Sequence, residues 1–224
     1  MTTLFPQSHL FTQTNLDSGS LTMLTTVLHR FPEPATYRGV VLKLGKVEAT
    51  FELKIDAASA ASQAHIDLAA LASPAPTAEC GCKSAANKSF TLSPHGYAVF
   101  YVSQGPGGYA VHVGRADKGP QPKDFDSRDL KPGDIFTAIV IRPGAYSVLN
   151  VKTKAKIEMV VPYVQPAKQR YEPPTPLNIE VTPDGFGMKR IESKPAQAQV
   201  YRLKTPAQIQ IELTKPDDGP SQHR

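Results

Sequence analysis

Two cysteines one residue apart are the sharpest chemical feature of the sequence. The thiols of Cys80 and Cys82 could hold a soft metal ion or form a redox pair, with His95 and His112 available to complete a metal site. Zinc sites usually space their cysteines by two or more residues, and this chain has only one cysteine pair. We therefore expect two free thiols in a loop, with no metal and no cofactor. A metal-binding or redox module built on this pair is the alternative.

Four aspartates form a second cluster that could bind a hard cation. Asp124, Asp126, Asp129 and Asp134 lie in one short polar segment that also contains lysine and arginine. A calcium loop of the EF-hand type starting at Asp124 would need glycine at its sixth position and glutamate at its twelfth, and the chain has neither. The segment is more typical of a solvated loop. Because no catalytic motif is present, we predict no catalytic residues. An enzyme with an unrecognised site, such as a carbohydrate-active one, is a further alternative.

Three lysines alternate with less polar residues near the middle of the C-terminal half. Lys152, Lys154 and Lys156 would project from one face of a strand over residues 151–157, each about 7 Å from the next. Such lysines can protect a sheet edge from pairing with other chains. They can also dock on an anionic surface. The second role makes them the predicted partner-binding residues.

The charge of the chain is distributed unevenly. Residues 1–134 contain 12 basic and 12 acidic residues, whereas residues 135–224 contain 13 and 8 and thus supply the whole net charge of +5. This asymmetry indicates an anionic neighbour for the C-terminal part, such as an acidic protein face or lipid headgroups. A surplus of this size also arises by chance. We predict no specific nucleic-acid partner.

Composition and periodicity predict an all-β fold. The 21 prolines, nearly twice the usual ~5% share, disfavour long helices. Residues 47–55 alternate apolar and polar side chains, as a strand with one wet face does. Residues 97–102 are apolar throughout and predict a buried central strand. Pro-Gly turns at 131–134 and 142–145 fit type II geometry, and the second should close a hairpin. The glycine-rich loop that ends at Gly108 is also interpreted as a hairpin turn.

We predict an antiparallel β-sandwich with an extended N-terminal arm and a small C-terminal β-piece. Leucines within the arm recur at near-helical spacing, which would allow one short helix there. Residues 148–157 weakly resemble residues 200–209, which would fit a duplicated β-module or chance. The predicted limits are 1–34 for the arm, 35–164 for the sandwich, 165–176 for a Pro-rich linker, 177–216 for the C-terminal module and 217–224 for the tail.

Two turn-and-strand segments resemble a known family. Residues 130–136 followed by 142–148 are similar to the framework of cupredoxin-like β-sandwich proteins, and residues 178–191 are similar to their opening strands. The resemblance implies a cupredoxin or immunoglobulin-like sandwich. Those proteins bind copper through a Cys, His and Met cluster near the end of the domain, but no cysteine follows Cys82 here. The resemblance therefore implies a sandwich without copper.

These observations together predict a non-catalytic accessory or scaffolding subunit that binds a larger protein assembly. A membrane-embedded complex approached from the cytoplasm is one such partner. No apolar stretch approaches the ~20 residues of a membrane span, and the N-terminus has no basic segment followed by an apolar run. We therefore expect a cytoplasmic protein that contacts a membrane, if at all, from its surface.

Overall fold

The structure, a computed structural model, describes residue 10 and residues 12–73, 88–118, 123–163 and 174–219. Strands account for 54% of the described residues and helices for 5%, which confirms the all-β prediction. The strands are β1 (Asn15–Asp17), β2 (Thr25–Arg30), β3 (Ala35–Lys43), β4 (Lys46–Ile55), β5 (Gln63–Asp67), β6 (Ser89–Leu92), β7 (Tyr97–Tyr101), β8 (Tyr109–Arg115), β9 (Phe125–Asp126), β10 (Ile135–Ile139), β11 (Gly144–Asn150), β12 (Lys156–Val161), β13 (Leu177–Thr182), β14 (Gly185–Phe186), β15 (Ile191–Glu192), β16 (Ala198–Leu203) and β17 (Ile209–Pro216). The helices are α1 (Leu68–Ala72) and a 3-10 turn (Ala116–Lys118).

The strands form three mixed sheets. A seven-stranded sheet has the order β14-β13-β16-β10-β2-β7-β5, and two five-stranded sheets have the orders β6-β4-β3-β8-β9 and β1-β17-β11-β12-β15. Four pairs are parallel: β4 with β6, β5 with β7, β12 with β15, and β13 with β16. The sheets are thus not purely antiparallel as predicted. Parallel neighbours need a long crossover, and the β4 to β6 crossover runs through β5 and α1.

The same strand topology occurs twice. In the first unit, β3 pairs with β4 and β8, β6 lies parallel to β4, β7 pairs with β2, and β5 lies parallel to β7. In the second unit, β11 pairs with β12 and β17, β15 lies parallel to β12, β16 pairs with β10, and β13 lies parallel to β16. The two units meet where β2 pairs antiparallel with β10 in the seven-stranded sheet. Strands β2 and β3 of the first unit therefore correspond to β10 and β11 of the second.

Aromatic side chains connect the sheets of the first unit. The ring centroid of Phe51 on β4 lies 6.3 Å from that of Phe100 on β7, and Phe100 stacks on Phe125 of β9 at 5.1 Å. Gly39 makes this packing possible, because a Cβ added there would lie 2.0 Å from the Phe51 ring. The buried apolar residues of both units form one continuous core.

Part of the predicted N-terminal arm lies inside the sheets. Residues 15–17 form β1 at the edge of one sheet, and residues 25–30 form β2 at the centre of the largest one. Leu16, Leu21 and Val27 are buried. The prediction of an extended arm containing a short helix is therefore wrong for this segment. Its apolar residues are paired and covered by strands from distant parts of the chain, which local spacing does not reveal.

The sheets also group the C-terminal strands differently from the predicted domains. The strands of residues 177–216 pair with β10, β11 and β12 and build the second unit with them.

The turn at 142–145 and the loop that ends at Gly108 each connect strands of different sheets, so neither closes the predicted hairpin. Strand β7 alternates buried and partly exposed residues, so it is not buried on both faces. The weak sequence match between residues 148–157 and 200–209 aligns β11 with β16, and these strands do not occupy equivalent positions in the two units. Most of the predicted linker lies outside the described residues.

Candidate functional site

The tip of the β3–β4 hairpin combines an unusual backbone with an exposed apolar surface. Leu44 and Gly45 form a two-residue turn between the paired residues Lys43 and Lys46, and their φ angles are 48° and 81°. Two central residues with positive φ characterise the type I′ turn, which prefers Asn-Gly or Gly-Gly. Leu44 is nonetheless 82% exposed, and Val47 is 65% exposed. A large apolar side chain thus occupies a position that favours a small or polar residue.

A groove of about 380 Å³ lies beside this tip. Asp17 is its acidic group, and the Asp17 carboxylate accepts hydrogen bonds from Gln208 Nε2, from Gln210 Nε2 and from the backbone N–H of Gly19. These three donors fix the carboxylate in place at the end of β1. The groove is lined by Gln13, Asn15, Asp17, Ser20, Thr22, Lys43, Leu44, Pro106, Gly107 and Gly108. Polar side chains and the apolar hairpin tip therefore both contribute to its wall.

The three predicted partner-binding lysines lie at the equivalent tip of the second unit. Strand β11 ends at Asn150 and β12 begins at Lys156, so residues 151–155 form the turn between them. Lys152, Lys154 and Lys156 are all exposed, as predicted. The predicted strand over 151–157 is wrong, because Lys154 adopts a positive φ of 62° that reverses the chain.

Asn150 holds this basic turn together. Its backbone oxygen accepts from Lys154 N at 2.8 Å, its backbone N–H donates to Ala155 O at 2.8 Å, and its side-chain Oδ1 accepts from Lys152 N at 3.1 Å. Asn150 is fully buried. The Lys152 ammonium lies 2.8 Å from the Asp129 carboxylate. Among the described residues, no ion pair involves the ammonium groups of Lys154 and Lys156.

Gln208, the residue before β17, lies between the groove and the basic turn. Gln208 donates its side-chain amide to Asp17, in the groove beside Leu44. The backbone oxygen of Gln208 accepts from Val151 N at 2.9 Å, at the start of the basic turn. These hydrogen bonds therefore connect the basic turn to Asp17 on β1, within the sheet of the second unit.

A histidine–aspartate pair lies where the two units join. His29 Nδ1 on β2 is 2.6 Å from Asp134 Oδ1, and Asp134 also accepts from Lys131 N at 2.7 Å. Asp134 is only 3% exposed, and the His29 ring packs against Phe125 with centroids 4.7 Å apart. The pair connects β2 to the turn before β10, and it therefore links the two units where they meet. Sequence reasoning missed it, because the two residues are 105 positions apart.

The other candidate metal ligands, His95 and His112, belong to no metal-binding group among the described residues. His95 lies in an exposed turn with a φ of 63°, whereas His112 lies on β8. Burial lowers the pKa of His112, and its Nδ1 has no hydrogen-bond partner. Within the described part of the chain, no three histidine, cysteine, aspartate or glutamate side chains group as a metal site requires. Cys80 and Cys82 lie outside the described residues.

The aspartate cluster is neutralised by basic and backbone donors. Asp124 accepts from Arg115 N, and Asp126 accepts from the Arg128 guanidinium and from Lys123. Although burial raises the pKa of Asp126, hydrogen bonds from the Arg128 side chain, the Arg128 backbone N–H and Lys123 lower it to about 2. These carboxylates are therefore occupied by internal partners. The segment is not a solvated loop throughout, because Phe125–Asp126 form β9 and Asp134 is buried.

Comparisons with known proteins add no relative. No family model matches the chain, no curated protein matches it, and no solved structure matches it. In the residues that the structure describes, no helix has the length and apolarity needed to cross a membrane. The two hairpin tips are therefore the candidate functional surfaces.

Proposed function

We propose that this protein is a non-catalytic accessory subunit that docks on a larger protein assembly through the basic tip of the β11–β12 hairpin. The observation that carries the proposal is the exposure of Lys152 and Lys154 on one short turn fixed by the buried Asn150, with Lys156 exposed at the start of β12. A rigid turn loses little conformational entropy when it binds, so its charges are available for a partner. We propose a cytoplasmic location, as the sequence predicts.

Charge indicates what kind of partner surface fits this tip. The tip belongs to the part of the chain that carries the whole net charge of +5. Its partner is therefore an acidic protein face, which would attract the subunit during approach and fix its orientation. Exposed ion pairs contribute only about 0–1 kcal/mol each, so the three lysines act together. The turn position also argues against edge protection, because Lys152 and Lys154 do not lie on an edge strand.

We further propose that each unit is a β-sandwich of the cupredoxin or immunoglobulin-like type, without copper. The packing of Phe51 against Phe100 across two sheets supports a sandwich. The Tyr146 hydroxyl donates to Arg142 O at 2.6 Å, and the equivalent Tyr37 donates to Glu33 O at 3.3 Å. A tyrosine that binds the backbone a few residues upstream is a hallmark of immunoglobulin-like sandwiches.

The test compares two variants with the same change in charge. One carries Lys152→Gln, Lys154→Gln and Lys156→Gln, and the control replaces three other exposed lysines of the second unit. The control substitutions are Lys189→Gln, Lys194→Gln and Lys204→Gln. Each variant is expressed in the native host, and the size of its complex is measured by gel filtration of the lysate at low and high salt.

We expect the wild type and the control to elute far above the 24.3 kDa of the free chain at low salt. The tip variant should elute near the size of the free chain, because it loses roughly 1–3 kcal/mol of docking free energy. The wild-type complex should weaken as salt rises, since the Debye length falls from about 10 Å at 0.1 M to about 3 Å at 1 M. A wild type that elutes as a free chain, or a tip variant that keeps its complex, would contradict the proposal.

A further inference from the structure

Three local features of the apolar tip of the first unit are energetically unfavourable. Leu44 adopts a left-handed φ of 48°, a conformation that is strained for a residue with a Cβ. Its side chain is 82% exposed, so its apolar surface is in contact with water. Lys43 and Lys46 face each other directly across the strands, which is unfavourable for like charges. Local rules are broken in this way mainly where function requires it.

A negatively charged surface that covered the tip would account for both the lysine pair and the exposed apolar residues. Lys46 is exposed, and the Lys43 ammonium lies 5.1 Å from the centre of the Tyr109 ring, beside the turn. An anionic surface removes the repulsion between the two ammonium groups. The long lysine side chains can then keep their charges among headgroups while the apolar tip enters deeper, as lysines do at membrane interfaces.

The shape of the tip favours a lipid surface over a protein. Leu44 in the two-residue turn and Val47 at the start of β4 are both exposed, and a Cβ added to Gly45 would meet no atom within 4 Å. Two side chains on a protrusion are far short of the ~1,000 Å² that a stable protein interface buries. A bilayer needs no complementary pocket, because its interfacial region deforms around an inserted side chain.

We propose that the β3–β4 tip inserts into an anionic membrane surface, with Leu44 and Val47 as the inserted side chains and Lys43 and Lys46 as the headgroup contacts. This surface is separate from the basic β11–β12 tip. It would hold the protein against a bilayer while the second unit binds its protein partner. The two proposals do not depend on each other, since they use different hairpins.

The test is co-sedimentation of the purified full chain with vesicles. One set contains phosphatidylcholine alone, and the other contains phosphatidylcholine with phosphatidylserine. The informative variant is Leu44→Asn, because asparagine suits a type I′ turn and the fold should be kept. Its control is Met188→Asn, which removes an apolar side chain that is 37% exposed on the second unit. The double variant Lys43→Gln and Lys46→Gln tests the headgroup contacts.

We expect the wild type and Met188→Asn to bind the anionic vesicles and to bind phosphatidylcholine vesicles less. Leu44→Asn should weaken binding about tenfold or more, the scale set by burial of one leucine side chain. The double lysine variant should lose the preference for anionic vesicles. The proposal is overturned if the wild type binds neither vesicle, or if Leu44→Asn binds as the wild type does while circular dichroism shows both folded. Equal losses in Leu44→Asn and Met188→Asn would also overturn it, because binding would then not be specific to the tip.

Discussion

The two units of this protein share a topology but differ at their equivalent hairpin tips. The first unit ends its hairpin in Leu44-Gly45, a tight apolar turn, whereas the second ends its hairpin in a longer turn that carries three exposed lysines. Each turn uses a non-glycine residue with positive φ, Leu44 in one and Lys154 in the other. The two units therefore share a scaffold of sheets and differ in the chemistry of their turns.

The outer edges of the two units differ in a similar way. In the first unit, β9 pairs with β8, and its Asp126 is held by charged groups. In the second unit, β1 takes the equivalent place beside β17, and its Asp17 is held by the amides of Gln208 and Gln210. One edge is therefore fixed by ion pairs and the other by amide hydrogen bonds to a carboxylate.

The largest effects should come from the cores of the two units. Phe100→Ala in the first unit and Phe136→Ala in the second each remove a fully buried ring, at a cost of about 3–5 kcal/mol. Because β2 and β10 join the units in one sheet, each substitution should lower the midpoint of the same single denaturant transition. Circular dichroism during urea unfolding measures this. Two separate transitions, each moved by only one substitution, would show that the units fold independently.

A smaller effect is expected at the charged edge of the first unit. Asp126→Asn should reduce stability by about 1–2 kcal/mol at pH 7, because the folded protein holds the pKa of this carboxyl at about 2, below the unfolded value of 3.8. The contribution is complete above pH 3.8 and is lost as the pH falls towards 2. Urea unfolding of both proteins at several pH values should therefore show the difference shrinking in acid. A difference that is independent of pH would mean that packing, not charge, explains the effect.

The smallest effects on stability are expected at the two turns. Leu44→Asn and Lys154→Asn each place asparagine, which tolerates positive φ, at a strained position. Each should leave thermal stability unchanged or raise it by up to about 1 kcal/mol. Scanning calorimetry measures the change. A marked loss of stability in Leu44→Asn would mean that the leucine supports the fold, which would remove the reason to assign it a binding role.

Sequence patterns predicted the locally determined parts of this structure. The alternation in residues 47–55 corresponds to β4 of the β3–β4 hairpin. The alternation in residues 151–157 was misleading, because the chain reverses at Lys154 through backbone hydrogen bonds to Asn150. Strand β2 was also missed, since its partners are about 70 and 110 residues away.

The duplicated topology left only a faint trace in the sequence. A proline precedes a tyrosine by three residues at the start of both β3 and β11, as Pro34 and Tyr37 and as Pro143 and Tyr146. This shared spacing reflects the equivalent hydrogen bonds of the two tyrosines to the backbone four residues upstream. It is the signal that could have revealed the repeat. The sequence pointed to the lysines of the second tip but not to the tip at Leu44, because the exposure and positive φ of Leu44 cannot be deduced from composition.

We propose that the two equivalent tips have different partners. The direct test is to place Leu44→Asn and the triple Lys→Gln variant of residues 152, 154 and 156 in both assays, vesicle co-sedimentation and native complex size. We predict opposite losses: Leu44→Asn should lose the anionic vesicles and keep its complex, and the lysine variant should lose its complex and keep most of its vesicle binding. If both variants lose the same activity, or neither loses any, the division of function between the tips is contradicted.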